Sequence, residues 1–306
     1  MSTNSIQDSA LARSLQRETS AEVLFDDFSR GLYSTDASIY QIMPLGVVVP
    51  KTEDDVRVTL NIAYENGISV TMRGAGTSQC GQTVGEGIIV DVSKNLNSLV
   101  SVDPEKRQAT VQPGIVLDQL NDSLKQHGLF FPVDVSTSSR ATIGGMTANN
   151  SCGARSIRYG KMVDNVGEVD AVLAEGSSMR FGNWDDETAS AVPQRHQELV
   201  SQLMELGKRE SEEVAKRFPR VQRRVGGYNL DVLSMESGSS LNLAKLLVGS
   251  EGTLAVSSQI TLNLQPIPEH KVLGVCHFPT FYQAMETTQH LVELEPDAVE
   301  LVDQTM

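Results

Sequence analysis

The sequence lacks long apolar runs, has few cysteines and is short of basic residues. No window holds the ~18 uninterrupted apolar residues that a membrane-spanning helix requires, so none is predicted. Cys80, Cys152 and Cys276 lie far apart without a C-x-x-C pair, so neither a disulfide framework nor a metal or iron–sulfur site is predicted. The 39 acidic residues outnumber the 25 Lys and Arg, giving a net charge of -14, which argues against nucleic acid as a partner.

The remaining composition is that of an ordinary globular chain. Its 306 residues, 40% of them hydrophobic, suffice for one large domain or two of ordinary size. The polar N-terminus has no apolar segment typical of a secretory signal, so a cytoplasmic location is expected, with a peripheral position at the inner membrane as the alternative. The five histidines are isolated from one another, and each is predicted to be structural or exposed.

The first part of the chain predicts a polar lead-in followed by strands and a helix. Residues 1–41 are expected to be partly helical, with one helical face buried; that face comprises Val23, Leu24, Phe25 and Phe28. LGVVVP (45–50) predicts a strand, and Thr52 with Asp55 forms a capping-box pattern for a helix ending near Gly67. Strands are also predicted over 68–72 and 88–92.

The rest of the chain predicts hairpins, helices and one long irregular stretch. The patterns indicate a strand pair over 99–114, a helix from Leu117 ending at Gly128, and little regular structure over 132–160. They further indicate a hairpin turning at Glu175 and Gly176, a helix over 197–216, strands over 252–268 and a helix over 281–294. The predicted fold class is therefore α+β.

The stretch from Arg73 to Gly87, RGAGTSQCGQTVGEG, is rich in glycine and hydroxyl residues. Glycine allows backbone N–H groups to converge on an anion, so this composition suits a pyrophosphate. A Rossmann loop would open a helix after its glycines, whereas a strand is predicted here, so that interpretation is disfavoured. Arg73 is the one nearby cation, and either it touches the ligand or it braces the loop.

A second stretch, TIGGMTANNSCG from Thr142 to Gly153, has a similar composition. One glycine-rich stretch alone could be a hairpin without a ligand. Two separate polar loops of small residues are what an extended ligand with central phosphates needs. Together they point to FAD.

These motifs carry a resemblance to a known family. RGAGTSQCGQ, PVDVSTSSRATIGGMTANNSCG, the YG at Tyr159, GGYNLD at Gly226 and VGSEGTLAV at Val248 occur in the family's order. The chain resembles, from about Leu45 to Pro268, the FAD-binding domain of the vanillyl-alcohol-oxidase-type (PCMH-type) flavoproteins, in their D-lactate, glycolate and D-2-hydroxyglutarate dehydrogenase branch. The lead-in LYSTDASIYQIMPLGVVVP is similar to long bacterial members fused to an iron–sulfur region.

The resemblance implies a set of FAD-binding residues. In the family the first loop binds the FAD pyrophosphate, the second runs along the pyrophosphate, ribose and isoalloxazine, and GSEGTL lies by the adenine end. Carried over, the set is Arg73, Gly74, Ala75, Gly76, Thr77, Ser78, Gly81, Gln82, Asp134, Thr142, Gly145, Asn149, Gly153, Ser156, Glu251 and Gly252. Covalently flavinylated members often have histidine at the position of Thr77, so non-covalent FAD is expected.

The resemblance also implies the domain order and the chemistry. Residues 1–41 would be the lead-in, and 42–268 the two-subdomain FAD-binding domain, divided at about 102 and 103. Residues 269–306 resemble the first strand, helix and next strand of a truncated substrate-cap domain. The catalytic residues would then lie beyond Met306, so the fragment alone is expected to be inactive.

The expected function is oxidation of a small D-2-hydroxy acid by hydride transfer from Cα to flavin N5, with electrons passed to an iron–sulfur region or quinone. Any iron–sulfur cluster would lie outside these residues. Two alternatives stay open: a non-catalytic flavin-binding subunit, and a fold-sharing NADPH-dependent reductase of enolpyruvyl-UDP-N-acetylglucosamine.

Overall fold

A computed structural model describes residues 9–234 and 241–303 of the chain. The helices are α1 (Ala10–Glu18), α2 (Asp27–Leu32), α3 (Glu53–Glu65), α4 (Leu117–Leu124), α5 (Ile143–Ala148), α6 (Ser156–Tyr159), α7 (Met162–Asn165), α8 (Asp186–Ala191), α9 (Gln194–Arg217), α10 (Ala244–Leu247) and α11 (Phe281–Val292). The strands are β1 (Glu22–Leu24), β2 (Gly46–Val49), β3 (Val70–Arg73), β4 (Ile88–Asp91), β5 (Leu99–Asp103), β6 (Gln108–Val111), β7 (Leu129–Phe130), β8 (Val166–Val172), β9 (Ser178–Phe181), β10 (Asn183–Trp184), β11 (Leu241–Asn242), β12 (Val256–Asn263) and β13 (Gln265–Pro266). The α+β prediction is confirmed.

The first sheet has four strands in the order β1-β2-β4-β3. β4 pairs in parallel with β2 and β3, while β1 joins the edge antiparallel to β2. Every residue of β2 and β4 is buried, as expected of parallel strands covered on both faces. Helices α1 and α3 pack against this sheet and form the smaller of the two main hydrophobic cores with it, through residues that include Leu15 and Leu60.

The second sheet has five antiparallel strands in the order β5-β6-β12-β8-β9. The predicted hairpins are confirmed, and Gly176 at the second turn adopts a φ of 86° that only glycine takes up without strain. Central strand β12 has both Ile260 and Leu262 fully buried in the larger core, together with Leu120 of α4. This core supports the second half of the cleft described below.

The lead-in differs from its prediction. Residues 22–24 form the edge strand β1 rather than a helix, because their backbone pairs with β2. Phe25 is buried, but Phe28 is 75% exposed on the short helix α2. A helical periodicity does not apply to a segment whose conformation is set by pairing with a distant strand.

The stretch over 132–160 also differs from its prediction, since it contains helices α5 and α6. Both are very short, six and four residues, and α5 contains two glycines, so their helical periodicity is too brief to detect. Helix α5 begins after Thr142, whose hydroxyl accepts a hydrogen bond from the Gly145 N–H.

The C-terminal segment forms helix α11 as predicted, but no strand is found between residues 269 and 303. Helix α11 has no buried residue, and Val272 and Leu273 before it are 96% and 87% exposed. A strand needs a partner for its N–H and C=O groups, and the described residues offer none here. Arg158 contacts this segment through an ion pair to Asp297 at 3.0 Å. None of the helices in the described ranges is long and apolar enough to cross a membrane.

The predicted capping box before α3 is present, and its Asp55 does more than cap. Thr52 and Asp55 exchange side-chain-to-backbone hydrogen bonds, and the Asp55 carboxylate also accepts bonds from the N–H groups of Ser20 at 2.7 Å and Lys51 at 2.9 Å. Burial alone would raise the pKa of Asp55, but these hydrogen bonds outweigh it and hold the pKa below its ordinary value of 3.8.

Replacing Asp55 with asparagine is expected to lower the free energy of unfolding by about 2 kcal/mol at neutral pH, because an amide NH2 would face N–H donors. The difference from the natural protein should be full above pH 3.8 and should shrink as pH falls through the lower folded-state pKa, since the carboxylate then protonates. Urea denaturation across this pH range measures it. Asp54→Asn, at an exposed neighbouring carboxylate, is the control; equal losses in the two variants would contradict the prediction.

Candidate functional site

A cleft of about 360 Å³ lies between the two sheets. Strand β3 and the loop after it form one wall, while α5 and the loop around residue 250 form the other. The lining residues are Val70, Thr71, Met72, Arg73, Gly74, Gln82, Thr83, Val92, Pro113, Thr142, Gly144, Gly145, Ala148, Asn149, Leu247, Ser250, Glu251, Gly252, Thr253, Ala255, Val256 and Ser257. The cleft therefore joins both glycine-rich segments that the sequence singled out.

The two glycine-rich segments touch at Gly74 and Thr142. A methyl group on Gly74 would overlap the Thr142 hydroxyl oxygen, so the absence of a side chain at 74 is what allows this approach. Thr142 is itself only 3% exposed and caps α5, so it has little freedom to move. The two segments therefore meet within the lining of the cleft.

The first loop carries a run of backbone donors without partners. Among the described residues, the N–H groups from Gly74 to Ser78 donate no hydrogen bond to protein. The loop connects the parallel strands β3 and β4, so the predicted strand after the glycines is confirmed and the Rossmann alternative is excluded. Consecutive free N–H groups in a glycine-rich loop form a concave site for an anion such as a pyrophosphate.

The second segment contributes shape more than backbone donors. The N–H of Gly144 is bonded to Pro113 O at 2.7 Å, and that of Gly145 to the Thr142 hydroxyl at 3.3 Å. A Cβ on Gly144 would press against Pro113, so the chain here must be glycine to lie this close. The Asn149 side-chain amide lines the cleft and has no partner within the described ranges.

The loop over 249–253 covers the end of α5. Its backbone is tied to that helix by hydrogen bonds from Gly249 N to Thr147 O and from Glu251 N to Ala148 O. Three residues of this loop have positive φ, at 84° for Gly249, 52° for Glu251 and 75° for Gly252. The two glycines of GSEG accommodate this turn, which places Glu251 and Gly252 on the cleft.

Half of the predicted FAD-binding residues line the cleft: Arg73, Gly74, Gln82, Thr142, Gly145, Asn149, Glu251 and Gly252. Five others belong to the same first loop without lining the cleft: Ala75, Gly76, Thr77, Ser78 and Gly81. Within that loop the Ser78 hydroxyl hydrogen-bonds Gln82. The two ends of the first loop thus line the cleft, and its tip lies outside the set of lining residues.

The remaining three predicted residues, Asp134, Gly153 and Ser156, form a separate group. The Asp134 carboxylate accepts a hydrogen bond from Arg155 N at 3.1 Å and occupies the space that a side chain at 153 would need. Ser156 is buried, and its hydroxyl accepts from Arg223 Nε at 2.9 Å. These contacts fix the chain around residues 153–156, directly after the second glycine-rich segment.

Sequence reasoning missed the cleft residues that precede and follow the glycine motifs. Val70, Thr71 and Met72 line it from β3, and Ser257 lines it from β12; Thr253 and Ala255 lie within the VGSEGTLAV motif but outside the predicted set. These residues have no unusual composition. The available signal was their position, because each lies within a quoted motif or directly beside one in the sequence.

Arg73 lines the cleft, yet its guanidinium is engaged elsewhere. It donates to the backbone oxygens of Thr35 at 2.9 Å and of Tyr33 and Thr83 at 3.4 Å, and it lies 5.2 Å from the centre of the Tyr33 ring. Of the two roles left open for Arg73, these contacts favour bracing the loop.

A larger cavity, of about 480 Å³, lies at the end of α9 and shares no lining residue with the cleft. Neither glycine-rich segment reaches it, so the cleft remains the candidate site. No histidine lines the cleft, and no group of three His, Cys, Asp or Glu suited to a metal ion occurs in the described part of the chain.

The residues of the cleft fit FAD. The free N–H groups from Gly74, which lines the cleft, to Ser78, in the adjoining loop tip, can take a pyrophosphate, and the glycines at 74 and 144 leave room that side chains would fill. Three separate chain segments line the cleft, as the extended shape of a dinucleotide requires.

Comparison with known proteins agrees with this geometry. The model of a protein family described as FAD binding domain matches residues 44–182. D-2-hydroxyglutarate dehydrogenase of Pseudomonas putida is 36% identical over 92% of this chain and 28% of its own length. Glycolate oxidase subunit GlcD of Bacillus subtilis is 30% identical over 92% of this chain and 50% of its own length. This chain therefore spans between about a quarter and a half of these relatives.

The fold is shared with a solved structure of alkyldihydroxyacetonephosphate synthase. The two superpose with a TM-score of 0.67 over 94% of this chain and 46% of that chain, at 17% sequence identity. At this identity the likeness shows the PCMH-type fold alone. With the family match and the cleft, it leads to one conclusion: this chain contains an FAD-binding domain, matched over residues 44–182, and it is similar in sequence to part of D-2-hydroxyglutarate dehydrogenase and of glycolate oxidase subunit GlcD.

Proposed function

We propose that this chain is the flavin-holding part of a D-2-hydroxy-acid dehydrogenase acting on D-2-hydroxyglutarate, D-lactate or glycolate. The observation that carries the proposal is the cleft in which both glycine-rich segments and the GSEG loop meet. The names of the relatives supply the substrate class. Residues 42–268 would form the flavin-binding domain.

The residues of the cleft have distinct roles in this proposal. The N–H groups from Gly74 to Ser78 bind the pyrophosphate, the Asn149 amide is available to a polar edge of the cofactor, and Glu251 with Gly252 closes the adenine end. Bound FAD supplies the acceptor for a hydride from the substrate Cα. The walls of the cleft contain no histidine, and Glu251, the one carboxylate among them, is assigned here to the adenine end, so the proposed base that takes the hydroxyl proton comes from outside them.

The electron acceptor belongs to the same proposal. A dehydrogenase must be reoxidised, and the lead-in is similar to chains fused to an iron–sulfur region. We propose that an iron–sulfur region or a quinone takes the electrons.

The function is tested by anaerobic reduction of the bound flavin in the longest natural chain that contains these residues. We expect the visible flavin absorption to be lost with D-2-hydroxyglutarate, D-lactate or glycolate. For the two chiral acids, it should be retained with the L enantiomer. If NADPH reduces the bound flavin and none of the hydroxy acids does, the result would instead support the reductase alternative. Failure of all these reductants would support a non-catalytic subunit, for which the lack of a histidine in the cleft is the favouring observation.

The mode of flavin attachment gives a separate prediction. Thr77 carries a hydroxyl rather than an imidazole, and it does not line the cleft. We therefore expect trichloroacetic acid to release all the flavin into the supernatant. Yellow colour in the washed pellet would contradict non-covalent binding.

A further inference from the structure

The segment from Tyr33 to Tyr40, here called the brace, lies outside the region matched by the FAD-binding family. It nevertheless packs directly on the first glycine-rich loop. The N–H of Ala37 donates to Gly76 O at 3.0 Å, and the Tyr40 ring occupies the space beside Gly81 where a side chain would stand. Contacts therefore reach both halves of the loop.

Asp36 is the polar centre of the brace. Its carboxylate accepts a hydrogen bond from the Thr83 hydroxyl at 2.9 Å and from the Ser38 N–H at 2.8 Å. Burial would raise the pKa of Asp36, but the bonds from Ser38 and Thr83 outweigh it and lower the pKa, so the group is ionised and accepts at neutral pH. The Asp36 carboxylate thus forms one hydrogen bond within the brace and another to the first loop.

The brace is itself anchored to the sheet beneath the loop. The Tyr33 hydroxyl donates to Asp91 Oδ2 at 2.7 Å, at the buried end of β4. Arg73, at the end of β3, donates to backbone oxygens of Tyr33 and Thr35. The brace therefore spans from the strand before the loop to the strand after it.

The loop has little means of holding its own shape. Between Gly74 and Thr83 no backbone N–H donates to protein in the described structure, and the loop contains three glycines in that span. A chain with so few internal bonds loses considerable conformational entropy when it closes around a ligand. An external support removes part of that cost before the ligand binds.

We propose that the brace preorganises the first glycine-rich loop for the FAD pyrophosphate, with Asp36 as the positioning residue and with Arg73 acting on the loop rather than on the cofactor. The lead-in is then a working part of the flavin site. The inference rests on FAD binding, which a titration of the natural protein tests separately.

Variants of the Asp36–Thr83 pair test the proposal through the dissociation constant for FAD. We expect Asp36→Ala to raise it by about tenfold, the scale of a lost hydrogen bond to a charged group. Thr83→Val should weaken binding, and Thr83→Ser, which keeps the hydroxyl, should restore it. Thr83 also lines the cleft, so its variants could affect FAD directly, and Asp36→Ala is therefore the decisive test. If the two side chains act through their shared hydrogen bond, the double variant Asp36→Ala with Thr83→Val should bind FAD no more weakly than Thr83→Val alone.

The control is Ser20→Ala, which removes another side-chain contact of the lead-in, to Asp55 on α3. We expect it to lower the melting temperature of the FAD-free protein. The dissociation constant for FAD should stay within about twofold, because this contact does not involve the first loop; a twofold change is small beside the effect of a lost hydrogen bond. FAD affinity unchanged in Asp36→Ala, or weakened equally in Ser20→Ala, would overturn the proposal.

A charge-conserving substitution separates the two roles of Arg73. A lysine keeps the charge but cannot donate in the fork geometry that reaches three carbonyls. We expect Arg73→Lys and Arg73→Met to weaken FAD binding alike. Full affinity in Arg73→Lys alone would assign Arg73 to the phosphates and overturn that part of the proposal.

Discussion

Replacing Gly74 with valine is expected to raise the dissociation constant for FAD by about a hundredfold or more, since overpacking of this kind costs about 1–3 kcal/mol before any lost contact is counted. The added side chain would overlap the Thr142 hydroxyl, which is buried and caps α5. The first loop must then move away from the second segment. The free N–H groups that follow Gly74 would be displaced with it.

Gly74 does not have a positive φ, so the effect of the substitution is one of space and not of backbone strain. The control is Gly274→Val, at a glycine with open space around it and no positive φ. Isothermal titration of both variants with FAD measures the difference. Equal affinities in the two variants would show that the two segments need not touch for flavin to bind.

Replacing Asn229 with alanine is expected to lower the free energy of unfolding by about 3 kcal/mol, because one buried and one partly buried carbonyl group lose their donor. Asn229 is 4% exposed, and its Nδ2 donates to Val248 O at 2.8 Å and to Lys245 O at 3.1 Å. These bonds hold the start of the GSEG loop. A weaker affinity for FAD should accompany the loss of stability.

Asn97 offers a matched control for Asn229. Its Nδ2 also donates to two backbone oxygens, of Ser93 and Lys94, both at 3.2 Å, but the residue is exposed. Asn97→Ala should cost less than about 0.5 kcal/mol, since water replaces the lost donor. Similar urea midpoints for the two variants would contradict the account of Asn229.

The parts of the fold that followed from the sequence were those with local signals. The capping box at Thr52 and Asp55 and the turn at Gly176 depend on residues within a few positions of one another. The first loop was located because its glycines interrupt two apolar strands. In each case the local chemistry and the final structure agree.

The parts that did not follow depend on contacts between distant residues. Val23 and Leu24 lie in a strand because β2, which contains their partners Val48 and Val47, offers a free edge. The role of Arg73 could not be predicted because it donates to a backbone oxygen of the distant residue Thr35, and backbone acceptors leave no pattern in the sequence. The exposed strand-like residues near Val272 show the opposite case, a local pattern without a partner.

The most direct test of the account is a titration of the purified chain with FAD, followed by the change in flavin fluorescence. We expect saturable binding of one FAD per chain, with bound flavin that survives gel filtration and competition by ADP, which shares the pyrophosphate. A chain that is folded by circular dichroism and still shows no saturable change would contradict the assignment of the cleft.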